Sequence, residues 1–193
     1  HNLPKDAALR ALFLADRPEY VAVRAQKLVR GPGESIRVVR LGSNARGYVG
    51  YSYVPGPSDP VVPLSDEEKI AYRTLPAPDP RVRQLVADFV AGAANPYHEA
   101  LLIADRLRRG YSYTLEMPSR VPRDPIAHFL FVRRKGHCEY FASTMAVMLR
   151  LRGIPARVVV GFASPAAPIN GWTVVRASDA HAWVEAWLPE RGW

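Results

Sequence analysis

Hydrophobic and polar positions follow two different periods along this chain, and the change falls near residue 63. Before it, apolar residues alternate or cluster in short runs. Tyr20-Val21-Ala22-Val23 and residues 35–41 are strand-like and flank Arg30-Gly31-Pro32-Gly33, a hairpin-turn sequence. A third run, Tyr48 to Val54, opens into Pro55-Gly56-Pro57-Ser58-Asp59-Pro60, with Pro63 close behind. No regular element survives that density of proline, so a boundary is placed there. Residues 1–63 are expected to form a β-rich segment or small domain, and residues 64–193 a second domain.

Beyond the boundary the period becomes helical. Ser65-Asp66-Glu67-Glu68 is a capping box and starts a helix. Val82, Leu85, Val86, Phe89 and Val90 recur at helical spacing between Arg81 and Ala91. Asn95-Pro96 and Asp124-Pro125 each place an N-cap residue before a proline at the first helical position. Gly136-His137-Cys138 opens a further helix, with Phe141, Met145, Met148 and Leu149 on one face and Gly153 and Pro155 ending it. Three extended runs follow: 156–162, 172–177 and 181–188. The last sets His181, Trp183, Glu185 and Trp187 on one face against Ala182, Val184, Ala186 and Leu188. Helices followed by antiparallel strands predict an α+β fold.

At 193 residues and 48% hydrophobic composition, the chain can build a substantial core, which excludes intrinsic disorder. No apolar run approaches the ~20 residues of a membrane-spanning helix. The net charge of +8 comes from scattered residues, the densest run being Arg133-Arg134-Lys135. That distribution is a diffusely solvated surface rather than a nucleic-acid footprint, so no nucleic-acid partner is expected. A single cysteine, Cys138, excludes internal disulfides and a multi-cysteine metal site.

Cys138 is either core filler or chemistry. It falls in the first turn of a helix, where unpaired amides and the helix dipole favour a thiolate and where its own N–H can face an oxyanion. His181, on a downstream strand, is the residue type that activates such a thiol; otherwise it is a half-buried histidine satisfied by backbone. His137 is read as a capping or packing residue, His98 and His128 as surface or core positions.

Three ordered motifs bear on this choice. Gly136-His137-Cys138-Glu139-Tyr140-Phe141-Ala142, residues 149–162 with Gly153-Ile154-Pro155-Ala156-Arg157 at their centre, and Asp179-Ala180-His181-Ala182-Trp183-Val184-Glu185 together resemble the transglutaminase-like superfamily. The likeness is greatest to bacterial membrane-anchored TgpA-type members, and it covers roughly residues 76–193. It implies a papain-like core with Cys138 as nucleophile and His181 as general base and acid, working without cofactor or metal. It further implies acyl transfer from a glutamine-like amide through a thioester, on a protein or peptide substrate that includes cell-envelope ones, outside the cytoplasmic membrane. The parent protein would be membrane-anchored.

The family's third residue is an Asp a few positions after a Gly-Trp. Gly192-Trp193 is present and the sequence stops there, so the chain is read as truncated at its C-terminus and impaired for want of that Asp. Glu185 lies two strand steps from His181, too far to substitute, and Asp179 is read as a turn residue. Trp183 and Tyr113 are either sheet-face aromatics or walls of the acyl site. Arg157 is expected to pair with a buried carboxylate or carbonyls. A cysteine peptidase or amidase of the same fold, and an inactive peptide- or cell-wall-binding module, remain as alternatives.

Overall fold

The structure is a computed structural model that describes residues 11–12, 17–23, 25–30, 36–41, 48–53, 56, 59–120, 122–163 and 174–193. The chain divides into two compact units, His1–Pro60 and Val61–Trp193.

Among the described residues, the regular elements of the first unit are strands. β1 (Ala11–Leu12), β4 (Ile36–Leu41) and β3 (Ala25–Arg30) form a three-stranded antiparallel sheet in that order. β2 (Arg17–Val23) pairs antiparallel with β5 (Tyr48–Tyr53). Val38 and Tyr48 are buried, with Val21, Val23 and Ile36 against them. The run at 20–23 therefore does not flank the predicted turn: residues 25–30 pair with β4, and 20–23 pairs with β5. Gln26, Lys27 and Arg30 within the strand mask its alternation in the sequence. Gly31-Pro32-Gly33, Val54-Pro55 and Pro57-Ser58 lie outside the described residues.

The second unit is helical first. α1 (Asp66–Arg73) starts at the capping box: Ser65 accepts from the Glu68 amide at 3.2 Å, and the Ser65 amide donates to Glu68 at 2.8 Å. α2 (Pro80–Phe89) and α3 (Pro96–Gly110) are capped by Asp79 and Asn95, each followed by proline. β6 (Ser112–Tyr113) follows, then α4 (Pro125–His128), which widens into a π-turn over Phe129–Arg133 and ends at Arg134 with φ 53°. β7 (Lys135–Gly136) pairs parallel with β6. α5 (Cys138–Leu151), β8 (Ala156–Phe162) and β9 (Ala180–Ala186) complete the unit.

α5 is apolar almost all round because it is packed on almost every side. Strands β8 and β9 lie against one side, and α2 and α3 against another. Met148 and Leu149 are fully buried among Val82, Ile103, Phe129 and Leu130. In its last turn, Arg150 donates to the Ala156 carbonyl from Nε and Nη2, at 3.0 and 2.7 Å, and to the Thr74 carbonyl at 2.9 Å. One side chain thus ties the end of α5 to the start of β8 and to the C-cap of α1.

Two extended runs differ from expectation. Of 172–177, Trp172 lies outside the described residues, Val174 to Arg176 form no strand, and Ala177–Asp179 is a 3-10 turn. The cause is Asp179, whose carboxylate accepts the Arg176 amide at 2.8 Å and folds the chain back before β9. The last run is shorter than expected: β9 ends at Ala186, and Trp187, whose amide donates to Pro155 at 2.8 Å, is buried where Trp183 is exposed. With helices packed on one side of a two-stranded antiparallel pair, the second unit is α+β.

Candidate active site

Cys138 is the first residue of α5, and its position depends on Gly136 two residues earlier. A Cβ on Gly136 would stand 2.9 Å from the Cβ, Cγ and Cδ2 atoms of Tyr140. Only glycine allows β7 to run that close to the first turn of the helix. Tyr140 in turn stacks on Phe129 at 5.7 Å and meets the His137 ring edge-on at 5.1 Å. His137 occupies the N-cap position but makes no side-chain capping bond. The first turn of α5 therefore has no side-chain cap, and Cys138, which opens it, is half-buried.

His181 lies on β9, where it is paired with Gly161 of β8. Trp183 is two residues on, on the same face, paired with Val159. Its indole leans across Gly161, and its N–H donates to Glu185 at 3.2 Å. Glu185 also accepts from Arg157 across the strand pair, from Nε at 2.8 Å and Nη2 at 2.7 Å. The Arg157 guanidinium lies 4.1 Å above the Trp193 ring. Arg157 thus has the carboxylate partner that the sequence predicts. Glu185 is committed to Arg157 and Trp183, and Asp179 to the Arg176 amide.

These elements enclose a cavity of about 440 Å³. It brings together Cys138, His181, Trp183 and Tyr113, the four residues singled out in the sequence. Tyr113 stacks on Phe141, another cavity residue, at 6.5 Å. Both Tyr113 and Trp183 remain substantially exposed, so they flank the cavity rather than fill the core. Tyr111 is buried at the inner wall, and its hydroxyl donates to the Leu130 carbonyl at 3.3 Å. Burial raises its phenol above the ordinary value, partly offset by Arg134, whose guanidinium lies 4.9 Å from the ring centre. His98 is exposed on α3, and His128 is half-buried away from the cavity lining. Among the described residues, no three His, Cys, Asp or Glu side chains gather as a metal-binding group.

Sequence reasoning missed the α3 side of the cavity. Ala104, Leu107, Arg108 and Tyr111 line it at i, i+3, i+4 and i+7. That stripe is visible in the sequence, but periodicity cannot say which of its residues face a cavity and which a packed neighbour.

The transglutaminase-like superfamily model matches residues 83–193, which include all four of these cavity residues. The chain belongs to the transglutaminase-like superfamily. It is 37% identical over 134 residues, 67% of its length, to a protein-glutamine gamma-glutamyltransferase of Pseudomonas aeruginosa. It is 34% identical over 141 residues to YebA, an uncharacterized protein of Bacillus subtilis. The matched stretches span only 20% and 19% of those two proteins. The crystal structure of the periplasmic domain of TgpA from P. aeruginosa superposes with a TM-score of 0.67 and 26% identity, over 93% of this chain and 64% of that one. The fold is accordingly transglutaminase-like, in keeping with the resemblance of the three motifs. Among the described residues, no helix is long and apolar enough to cross a membrane.

Proposed function

We propose that the unit Val61–Trp193 catalyses cysteine-dependent acyl transfer from a glutamine-like side-chain amide of a protein or peptide. The observation that carries this reading is the placement of Cys138 at an uncapped helix start in the same cavity as His181. Family membership and the name of the Pseudomonas relative support it. The Cys138 Sγ, having given its proton to His181, attacks the amide carbonyl carbon. The carbon–nitrogen bond breaks, and the departing nitrogen takes the proton from His181 and leaves as ammonia or an amine. A thioester remains. An incoming primary amine loses a proton to His181, attacks the thioester carbon, and forms the new amide as Sγ leaves and recovers that proton. In this reading the Cys138 amide, at the start of the helix, donates to the oxyanion in both halves.

Water in place of the amine gives net hydrolysis, the peptidase or amidase reading. One observation favours keeping it: His181 is exposed, so water reaches the base. The contacts of the two nearby carboxylates go elsewhere than His181: Asp179 Oδ2 accepts the Arg176 amide, and Glu185 accepts from Arg157 and Trp183. The P. aeruginosa structure is that of a periplasmic domain, which supports an extracytoplasmic location for this unit too.

The test is the rate of Cys138 alkylation by iodoacetamide in the wild-type chain and in His181→Ala, followed by incubation with a glutamine peptide and a fluorescent primary amine. The reading expects rapid alkylation that falls at least ~10-fold in the mutant, and amine incorporation that Cys138→Ala abolishes. Equal alkylation rates in wild type and mutant would sink it. Ammonia release without amine incorporation would select hydrolysis.

A further inference from the structure

The cavity wall contributed by α3 carries a cation where its pattern calls for an apolar residue. Ala104, Leu107 and Tyr111 are the apolar members of the stripe, and Arg108 occupies the i+4 position between them. Among the described residues lining the cavity, it is the only Lys, Arg, Asp or Glu. Its charge is also poorly matched. Arg108 and Arg109 both converge on one oxygen, Oδ1 of Asp105, at 3.3 and 2.9 Å. Arg109 holds the shorter contact, so one carboxylate serves two guanidinia and a positive charge is left at the mouth. Arg108 is free to turn, since its side chain is 80% exposed. Across the cavity stand Tyr113 and Trp183, which offer apolar faces and no competing anion.

We propose that this site takes an acidic peptide, with Arg108 as the residue that selects it by pairing with a carboxylate beside the reacting amide. This rests on the acyl-transfer reading of the cavity and adds its substrate class. A guanidinium pairs with a carboxylate through two parallel N–H donors, which gives direction as well as attraction. Because Arg108 is mostly exposed, that pair contributes a modest, salt-dependent preference rather than the bulk of the affinity.

The experiment measures protection of Cys138 from iodoacetamide by three blocked peptides, with Glu, Ala or Lys preceding the glutamine, at fixed ionic strength. Protection reports occupancy whether or not the amide is turned over, so a failure of acyl transfer and a failure of the charge preference give different results. The expected result is half-protection by the Glu peptide at a concentration roughly 5- to 10-fold below that of the Ala peptide, with the Lys peptide weakest. Arg108→Gln should collapse the three curves together, and Arg108→Lys should restore part of the spread. Three coincident curves in the wild type, protection by none of the peptides, or a Glu preference surviving in Arg108→Gln would each overturn the proposal. So would heparin protecting as well as the Glu peptide in an Arg108-dependent way, which would make the site one for anionic polymers instead.

Discussion

Gly161 and Trp183 are a matched pair: a Cβ on Gly161 would stand 2.9 Å from Cη2 of the indole and 3.2 Å from Cζ3. The glycine is the register partner of His181, so the absent side chain is what lets the ring lie beside the histidine. A glycine inside a strand weakens it unless something packs on the bare backbone, and here the indole does so. Gly161→Val should therefore push the ring off the strand. Overpacking of this kind costs about 1–3 kcal/mol, which for a chain of this size lowers Tm by roughly 2–12 °C. A melt monitored by tryptophan emission checks it. Unchanged emission and Tm would mean that the ring does not occupy this position in solution.

The same ring is held from its other end. Glu185 accepts the indole N–H and both Arg157 donors, and the two charged side chains are mostly buried, at 28% and 19% exposure. Glu185→Gln keeps an acceptor for the indole and loses the charge opposite Arg157; Glu185→Leu loses both. The expected losses are about 1 kcal/mol for Gln and about 2–3 kcal/mol for Leu, because the latter strands a half-buried guanidinium. Urea denaturation of both variants, alone and combined with Arg157→Met, measures them. The double variant Arg157→Met/Glu185→Leu should recover part of the loss; if it is additive, the pair is not coupled.

How much of this was legible beforehand follows from how local each signal is. The capping box of α1 and the Asn-Pro and Asp-Pro starts of α3 and α4 are encoded in two to four consecutive residues, and they mark helix starts observed; the same device at Asp79-Pro80, which starts α2, was passed over for the helical spacing that follows it. The tight approach at Gly136 was legible only as a glycine before a helix; that Tyr140 demands it is a contact across a turn. The 3-10 turn at 177–179 was lost because Val174-Val175 reads as strand, while the single Asp179–Arg176 contact that ends it is no stronger a signal than any Asp in a loop. Arg108 was invisible as a cavity residue for a different reason: a charged residue on a helix is ordinarily solvated, and only the fold brings β9 and Tyr113 opposite it.

Strong acid should release the loop after β6. Glu116 accepts from Lys135 at 2.8 Å, and its carbonyl accepts from Arg133, tying the loop to β7 and the turn before it. The hydrogen bond to Lys135, and then its charge, lowers the Glu116 carboxyl below the ordinary value of 4.5. A lowered folded-state value means a contribution present above the unfolded value and lost as pH falls through the folded one. The loop contact should thus persist at pH 5 and fail only below the ordinary glutamate range. Side-chain carboxyl NMR should show Glu116 titrating low in the wild type and returning upward in Lys135→Ala. An ordinary titration in the wild type would show that the contact is not held.

Arg150 offers the sharpest separation of packing from charge. It is half-buried with three donors on two backbone carbonyls, and burial lowers its pKa, with Tyr72 acting weakly the other way. The group stays protonated throughout the accessible range, so its contribution is independent of pH. Arg150→Lys can reach one carbonyl at a time and should lose about 1–2 kcal/mol; Arg150→Ala leaves the Ala156 carbonyl, just after the α5 terminus, without its donor and should lose about 2–4 kcal/mol. Hydrogen exchange locates the effect. The expected pattern is faster exchange at the end of α5 and the start of β8, with the Tyr113 strand and the Cys138 turn unaffected. Uniform acceleration through the whole second unit would instead show that Arg150 holds the unit together as a single cooperative body rather than fastening one corner of it.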